Sequence, residues 1–216
     1  MSLRYASIFS QVLSVVSRQE FGRAARETEA EKGAKGFASW DQFVAMMFCQ
    51  LAQAKSLREI ESGLRSCEGK IRHLGLEQAP KRSTLSYANA HRPWELFERM
   101  FYEVLGQAQA SAPGKPFKFK HKLYSMDSTV IELCATMFDW AKYRTAKGAA
   151  KLHLVLDHDG CLPNYALITE GKVADITVAQ GLSMPKGSIV VMDRGYVDYT
   201  MFERWSAQGV GFVTRL

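Results

Sequence analysis

Two aspartates stand in apolar, strand-like segments, and their side chains could do metal-assisted chemistry. Asp127 interrupts the apolar run of residues 122–133, and Asp193 directly follows the run of residues 188–192. Such β-favouring runs predict buried strands, where an ionised carboxylate is costly unless a cation or hydrogen-bond donors compensate it. Two such strands lying together would unite two carboxylates, and hard oxygen ligands suit Mg²⁺ or Mn²⁺. Asp127 and Asp193 are therefore the candidate catalytic and metal-binding residues.

Basic residues precede and follow Asp127 in the sequence, and Arg194 directly follows Asp193. The formal net charge of +6 is too small to identify a partner, but residues 140–151 contain no acid at all. This placement favours a phosphate-rich ligand. The candidate contacts to such a ligand, which would be DNA contacts if the ligand is DNA, are Lys118, Lys120, Lys122, Tyr143, Arg144, Lys147, Lys151, Arg194 and Tyr196. A solvated charged loop is the alternative for the basic run, and shaping of the strand end is the alternative for Arg194 and Tyr196.

The composition is that of an ordinary globular protein. With 216 residues, 47% of them hydrophobic, the chain can bury one good core and a second small one. Its four cysteines have no zinc-ligand spacing, so we expect reduced thiols. The N-terminus lacks a signal-peptide pattern, and no apolar run approaches the roughly 18 residues of a membrane span. We expect a cytoplasmic, nucleoid-associated protein with no membrane partner.

Residues 1–110 predict an all-helical N-terminal region, because apolar positions recur at steps of three and four. We expect helices within residues 5–16, after capping-box spacings at 39–42 and 56–59, over 81–91, and from Pro93 onward. Residues 20–36 are expected to form a polar connector. Short helices, one entered through Lys-Arg-Ser-Thr, could form a helix-turn-helix DNA reader. A helical bundle with a solvated basic corner is the alternative.

Residues 111–122 are expected to form a basic linker, since two prolines and a glycine stop the helical pattern there. The elements expected beyond it are strands at 119–133, 151–156 and 164–168, a helix at 173–182, a strand at 188–192, a helix at 198–208 and a strand at 210–214. A polar turn ending in Gly160 argues for a hairpin between the second and third strands. The order predicts an α/β fold, α+β for the whole chain, with a ribonuclease H-like mixed sheet over 123–216. In that plan the first and fourth strands are neighbours, which would place Asp127 beside Asp193.

From about residue 83 onward, the sequence resembles DDE transposases of the insertion-sequence-four type. The resemblance rests on Lys-Arg-Ser-Thr-Leu with Ala-Asn-Ala-His-Arg-Pro at 81–93, Met-Asp-Ser-Thr-Val-Ile at 126–131, Trp-Ala-Lys-Tyr-Arg-Thr-Ala-Lys-Gly-Ala at 140–149, Lys-Leu-His at 151–153 and Asp-Arg-Gly-Tyr at 193–196. It implies that Asp127 and Asp193 are the first two acids of a catalytic triad. It also implies two divalent ions, Mg²⁺ or Mn²⁺, that activate water or a DNA 3′-hydroxyl for phosphodiester cleavage and strand transfer. The implied partners are DNA carrying the terminal inverted repeats of an element, and a second copy of the chain or a full-length transposase.

The third acid of that family lies in a Tyr-x₂-Arg-x₃-Glu-x₆-Lys pattern on a helix after the fifth strand. No match to the pattern occurs in this sequence, which ends at Leu216. Glu203 is the nearest candidate, but it falls before the fifth strand and is expected to be a surface helix residue. The sequence therefore predicts a C-terminally truncated, inactive transposase with weakened metal binding.

Three other acids and one histidine have structural explanations that do not require a role in catalysis. Asp175 is expected to be a charge at a helix N-terminus or a group that supports the metal ligands, rather than a ligand itself, and Asp157 and Asp159 are expected to form a turn. His153 could equally face the site or satisfy a hydrogen bond in the core.

Two other functions compete with cleavage. The first is a non-catalytic DNA-binding module that occupies element ends and competes with full-length transposase. The second is a phosphatase of the haloacid dehalogenase type, but that class requires an aspartate where this chain has Thr129.

Overall fold

The computed structural model describes residues 7–67, 69–111, 120–133, 142–143 and 147–215. The chain divides into two compact units, residues 1–106 and 107–216. The helices of the first part are α1 Ile8–Leu13, α2 Arg18–Glu27, α3 Ser39–Leu51, α4 Leu57–Ser66, α5 Arg82–His91 and α6 Glu95–Ser111, with a 3-10 helix at Ile71–Leu74. Among the described residues, no helix is long and apolar enough to cross a membrane.

Two expectations about the helical unit are wrong. Residues 20–36 are not a connector throughout, because α2 buries Phe21, Ala24 and Ala25 on one face. These buried positions recur at steps of three and four, but the charged residues on the opposite face make the pattern hard to recognise in the sequence. The cap of α3 is Ala38 rather than Ser39, since the Asp41 carboxylate accepts the Ala38 backbone N–H at 3.1 Å. The other expected cap is present, with Ser56 Oγ accepting the Glu59 N–H at 3.2 Å.

The turn between α5 and α6 is tied to the start of α3 by Arg92. The Arg92 guanidinium donates to the carbonyl oxygens of Phe37 and Ala38, the latter at 3.0 Å, and to Gln42 Oε1 at 3.2 Å. The Gln42 amide donates in turn to Asn89 Oδ1 on α5 at 2.7 Å. Arg92 and Asn89 both belong to the Ala-Asn-Ala-His-Arg-Pro motif, so part of that motif holds the helices together.

This arrangement makes the stability of the helical unit sensitive to the shape of residue 92. A lysine keeps the charge but cannot present a planar fork to three acceptors. We expect Arg92→Lys to lower the free energy of unfolding by about 2 kcal/mol, because partly buried carbonyls lose a charged donor. Urea unfolding of the whole chain measures this, with Arg82→Lys at an exposed position as the matched control. Equal midpoints for the two variants would contradict the role of Arg92.

The second unit is a mixed sheet with helices. Its elements are β1 Leu123–Leu133, β2 Lys142–Tyr143, β3 Lys147–Asp157, β4 Leu162–Glu170, α7 Asp175–Gly181, β5 Ile189–Met192, α8 Tyr199–Ala207 and β6 Gly211–Val213. In the sheet β3, β1, β5 and β6 follow one another, while β4 and the short β2 pair with β3. The β1–β3 and β3–β4 pairs are antiparallel, and the β1–β5 and β5–β6 pairs are parallel. This confirms the ribonuclease H-like plan, although the sequence did not predict β2.

A hydrophobic core lies on one face of this sheet. Tyr124 and Met126 of β1, Val190 and Met192 of β5, and Trp205 of α8 are all buried in it. Successive side chains of a strand point to opposite faces, so Asp127 is directed away from this core. The expectation of a buried acid is therefore wrong, because Asp127 is exposed although the residue before it is buried.

Candidate active site

The parallel pairing of β1 with β5 brings Asp127 and Asp193 to adjoining positions. Met126 is the register partner of Met192, and the two aspartates are the next residues of their chains. Neighbouring strands lie about 4.8 Å apart, so carboxylates at these positions can share a ligand. Both residues are exposed.

Each carboxylate is oriented by a backbone amide close to it in sequence. Asp127 Oδ1 accepts the Ser128 N–H at 2.8 Å, and Asp193 Oδ1 accepts the Gly195 N–H at 2.8 Å. A Cβ atom on residue 195 would lie only 3.0 Å from Asp193 Oδ1, so glycine permits this close turn. The Thr214 hydroxyl, just beyond β6, donates to the Asp193 carbonyl oxygen at 3.1 Å. The turn after β5 is thus held by two hydrogen bonds, one from the Gly195 N–H to the Asp193 side chain and one from the Thr214 hydroxyl to the Asp193 backbone.

This donor set fits a hard divalent cation. Asp127 and Asp193 each have a second carboxylate oxygen that is not used by these amides, and oxygen ligands suit Mg²⁺ or Mn²⁺. Within the described ranges, no group of three or more His, Cys, Asp or Glu side chains has the arrangement of a metal site. Two carboxylates are enough for Mg²⁺, which usually keeps several waters and binds substrate phosphates as well.

Tyr196 lies behind the two acids, in the hydrophobic core, with only 2% of its surface exposed. Burial raises the pKa of its hydroxyl to about 12, and the nearby charges of Asp175, Asp127 and Asp193 add to the shift while Ser128 opposes it. The Tyr196 hydroxyl therefore stays neutral. Its position does not present the ring to a DNA ligand, in contrast to the expectation from the sequence.

Lys151, Asp175 and His153 form a polar cluster on the same covered face of the sheet. Lys151 Nζ lies 3.0 Å from Asp175 Oδ1 and donates to the Val173 carbonyl oxygen at 2.8 Å. His153 Nε2 lies 2.9 Å from the Thr169 hydroxyl oxygen. Burial lowers the pKa of His153, Lys151 lowers it further, and Asp175 opposes both. Lys151 is thus engaged with an acid in this structure, and His153 is a residue of the core.

The remaining candidates are placed as follows. Lys120 and Arg194 are exposed. Lys122 Nζ lies 2.8 Å from Asp157 Oδ2, and this contact raises the pKa of Lys122. Glu203 is exposed on α8, between β5 and β6, as the sequence predicted. Lys118 and Arg144 lie outside the described residues, and for Tyr143 and Lys147 only the backbone strands are described.

The sequence did not indicate three contacts at this site. These are the approach of Ser128 to Tyr196, the Lys151–Asp175 pair and the support of Asp193 by Thr214. Ser128 carries a weak signal, since it directly follows Asp127 on β1 and its side chain therefore lies on the opposite face of the strand. The Thr214 contact joins residues on different elements and has no local signal.

Parts of the chain are similar in sequence to known families and to a known protein. Residues 118–216 match the family model described as "Transposase DDE domain", and residues 4–77 match a "Domain of unknown function (DUF4372)". The chain is 30% identical over 139 residues to the "Putative transposase y4zB" of Sinorhizobium fredii; the match covers 63% of this chain and 37% of that protein. The chain therefore spans little more than a third of that relative. Residues 118–216 are thus similar in sequence to transposase domains.

A solved structure also overlaps with the chain, at low similarity. It is a chain from a simian T-cell lymphotropic virus intasome in complex with PP2A regulatory subunit B56 gamma, with 12% identity and a TM-score of 0.30. The overlap covers 72% of this chain and 47% of that one. A similarity at this level supports no inference about function.

Two adjacent carboxylates repel each other unless a cation lies between them. In EDTA we expect Asp127→Asn to raise the Tm by about 2 °C, because the like-charge pair is removed. With excess Mn²⁺ we expect the Tm of the unmodified chain to rise and that of Asp127→Asn to stay constant, since only the former binds the ion. Differential scanning calorimetry measures both effects.

Asp159→Asn is the control for this experiment, because Asp159 lies in the turn between β3 and β4. It should show the same Mn²⁺-dependent increase as the unmodified chain. An equal increase in all three proteins would mean that Mn²⁺ binds elsewhere.

Proposed function

We propose that this protein is a DNA transposase of the insertion-sequence-four type, which cleaves phosphodiester bonds and transfers strands at the ends of an insertion element. The observation that carries the proposal is the β1–β5 register, in which Asp127 and Asp193 occupy adjoining positions at the end of β5. The ribonuclease H-like sheet and the match of residues 118–216 to a transposase domain support it.

The residues have separate roles in this proposal. Asp127 and Asp193 hold Mg²⁺ or Mn²⁺ through the carboxylate oxygens that no backbone amide occupies. The bound ion would lower the pKa of a water or a DNA 3′-hydroxyl and neutralise charge on the leaving oxygen. Arg194, exposed beside Asp193, contacts a DNA phosphate. The exposed Lys120 and Lys122 provide further phosphate contacts before β1.

The family pattern that carries the third acid has no match among the 216 residues. We propose that a site made of Asp127 and Asp193 alone binds metal weakly and supports little DNA cleavage. A third carboxylate beside them would strengthen the site, and a transposase chain that carries the family's glutamate is a partner that could supply it.

Iron can locate the metal site without any need for catalysis. Fe²⁺ occupies sites built for Mg²⁺ and, with ascorbate and peroxide, cuts the polypeptide beside itself. We expect cuts near residues 127 and 193 that excess Mg²⁺ suppresses and that Asp193→Asn reduces at least roughly tenfold, because a two-carboxylate site loses half of its ligands. Mass spectrometry of the fragments measures the result, with Asp159→Asn as the control.

The same preparation tests cleavage of a linear DNA fragment that carries element ends, in Mn²⁺. Iron cuts at other positions would contradict the metal site. Robust DNA nicking that Asp127→Asn abolishes would keep the site and overturn the proposal that this chain cleaves DNA poorly.

A second candidate function is a DNA-binding module without catalysis, and the exposed face of α5 favours it. Arg82, Ser83, Ser86 and Tyr87 of α5 are exposed, and 65% of the Tyr87 surface is accessible. Residues 55–92 of the helical unit carry eight lysines and arginines against four glutamates. A basic helix face with an exposed aromatic ring suits a DNA groove and its phosphates.

The α5 face can be tested in EDTA, where cleavage cannot occur. We expect Arg82→Ala to weaken DNA binding severalfold and to reduce the slope of log K against log salt by about 1, because one phosphate contact is lost. Tyr87→Ala should weaken binding with little change in the slope, since its ring carries no charge. Fluorescence anisotropy with labelled DNA measures both quantities.

Lys35→Ala is the control, since Lys35 is an exposed cation outside residues 55–92. Equal losses from Lys35→Ala and Arg82→Ala would show that only overall charge matters. That result would contradict a binding surface on α5.

A further inference from the structure

A small cavity lies beneath the covered face of the sheet, behind Asp127 and Asp193. Among its lining residues are Met126, Val155, His153, Asp175 and Tyr196. Three buried polar atoms of these residues have no hydrogen-bond partner among the described residues: His153 Nδ1, Asp175 Oδ1 and the Tyr196 hydroxyl. Buried polar atoms without partners are rare in folded proteins, so three around one cavity need an explanation.

The hydrogen atoms of the cluster can be assigned from its contacts. The Thr169 hydroxyl donates to the Glu170 carbonyl oxygen at 3.2 Å, so it accepts from His153 Nε2–H at 2.9 Å. The neutral imidazole then carries a lone pair on Nδ1, and this atom faces Asp175 Oδ1 at 3.6 Å. Two acceptors face each other there, with no hydrogen between them.

Neighbouring donors do not resolve this conflict. Lys151 Nζ is 3.0 Å from Asp175 Oδ1, but the contact lacks the angles of a hydrogen bond. The Tyr196 hydroxyl is a donor that has no acceptor, and Ser128 is near it without hydrogen-bond geometry. The cluster therefore has two acceptors that need hydrogens and one donor that needs an acceptor.

One water molecule meets all three needs. It has two hydrogens to donate, to His153 Nδ1 and Asp175 Oδ1, and an oxygen that accepts from the Tyr196 O–H. The cavity gives the centre of a water molecule about 10 Å³ of space. This is about the least volume that holds one water.

We propose that a single buried water joins His153, Asp175 and Tyr196, and that this network positions the turn that carries Asp193. The inference rests on the proposed function, in which Asp193 is a metal ligand. Tyr196 ends the 3-10 helix Arg194–Tyr196, whose cap is Asp193 itself. The apolar part of the Tyr196 ring packs in the core, and the water would hold its hydroxyl, so the short helix is fixed in place. The N–H of Gly195, which belongs to this helix, in turn orients Asp193 Oδ1. Tyr196 is therefore a positioning residue that reaches the metal site through the backbone.

Tyr196→Phe tests this proposal, because it removes the hydroxyl and keeps the buried ring. Tyr199→Phe is the matched control, since Tyr199 is an exposed tyrosine on α8. The first measurement is ¹⁵N NMR of the imidazole nitrogens in metal-free protein. We expect His153 to be protonated at Nε2 only at neutral pH, with an Nδ1 resonance that shifts in Tyr196→Phe and stays unchanged in Tyr199→Phe.

The second measurement is Mn²⁺ affinity by calorimetry. We expect Tyr196→Phe to bind Mn²⁺ roughly tenfold more weakly than the unmodified chain, as is typical when a group that orients a ligand is removed. Tyr199→Phe should bind Mn²⁺ like the unmodified chain. Circular dichroism of both variants establishes that the fold is kept.

The outcomes separate the network from the proposed function. A proton on His153 Nδ1, or an Nδ1 resonance unaffected by Tyr196→Phe, would overturn the water bridge. Unchanged Mn²⁺ affinity in Tyr196→Phe would overturn the positioning role. If the unmodified chain binds no Mn²⁺, the proposed metal site fails, and the NMR result still decides whether the water network exists.

Discussion

The structure depends on the parallel pairing of β1 with β5. The two strands are far apart in sequence, and only their hydrogen-bonded register makes Asp127 a neighbour of Asp193. The pairing is stabilised from one side, where Tyr124, Met126 and Met192 pack into the core. Apolar burial on that face thus holds two like charges together on the other, because the pleat gives each strand two faces with different surroundings.

The like charges of Asp127 and Asp193 lie on one face of the sheet, and the covered face has a different electrostatic cost. It buries polar groups that still need hydrogen-bond partners. His153 and Tyr196 are almost fully buried, and the charge of Asp175 lies between them and Lys151. Burial holds the imidazole and the phenol in their neutral forms, and the Asp175 carboxylate lies 3.0 Å from Lys151 Nζ. A network of this kind is rigid only if all its members are satisfied. The short helix that Tyr196 ends connects this network to Asp193, which caps it.

The order of the elements could be predicted from the sequence because it depends on local signals. The alternation of apolar residues, the glycine-ended turn of the hairpin and the change of apolar periodicity near residue 111 are all local signals. The order of elements that they indicate predicts that Asp127 lies beside Asp193. The burial of Tyr196 could not be predicted, because the same Asp-Arg-Gly-Tyr letters also suit an exposed phosphate-binding turn. The pairing of Lys151 with Asp175 depends on where α7 crosses β3, a tertiary contact without a local signal. Helix α2 was missed because its buried stripe of small residues is diluted by charges.

In two of the motifs, some residues anchor the backbone and others are exposed. In Ala-Asn-Ala-His-Arg-Pro, Asn89 and Arg92 are bound to α3 and are thus structural, whereas Tyr87 and Arg82 of the same helix are exposed. In Asp-Arg-Gly-Tyr, Tyr196 is bound in the core, Gly195 permits the turn, and Asp193 and Arg194 are exposed. In both cases an anchoring side chain, partly buried at Arg92 and buried at Tyr196, fixes the backbone from which exposed side chains project. Exposed side chains presented in this way would lose little conformational entropy on binding a ligand, because the anchor has already ordered their backbone during folding.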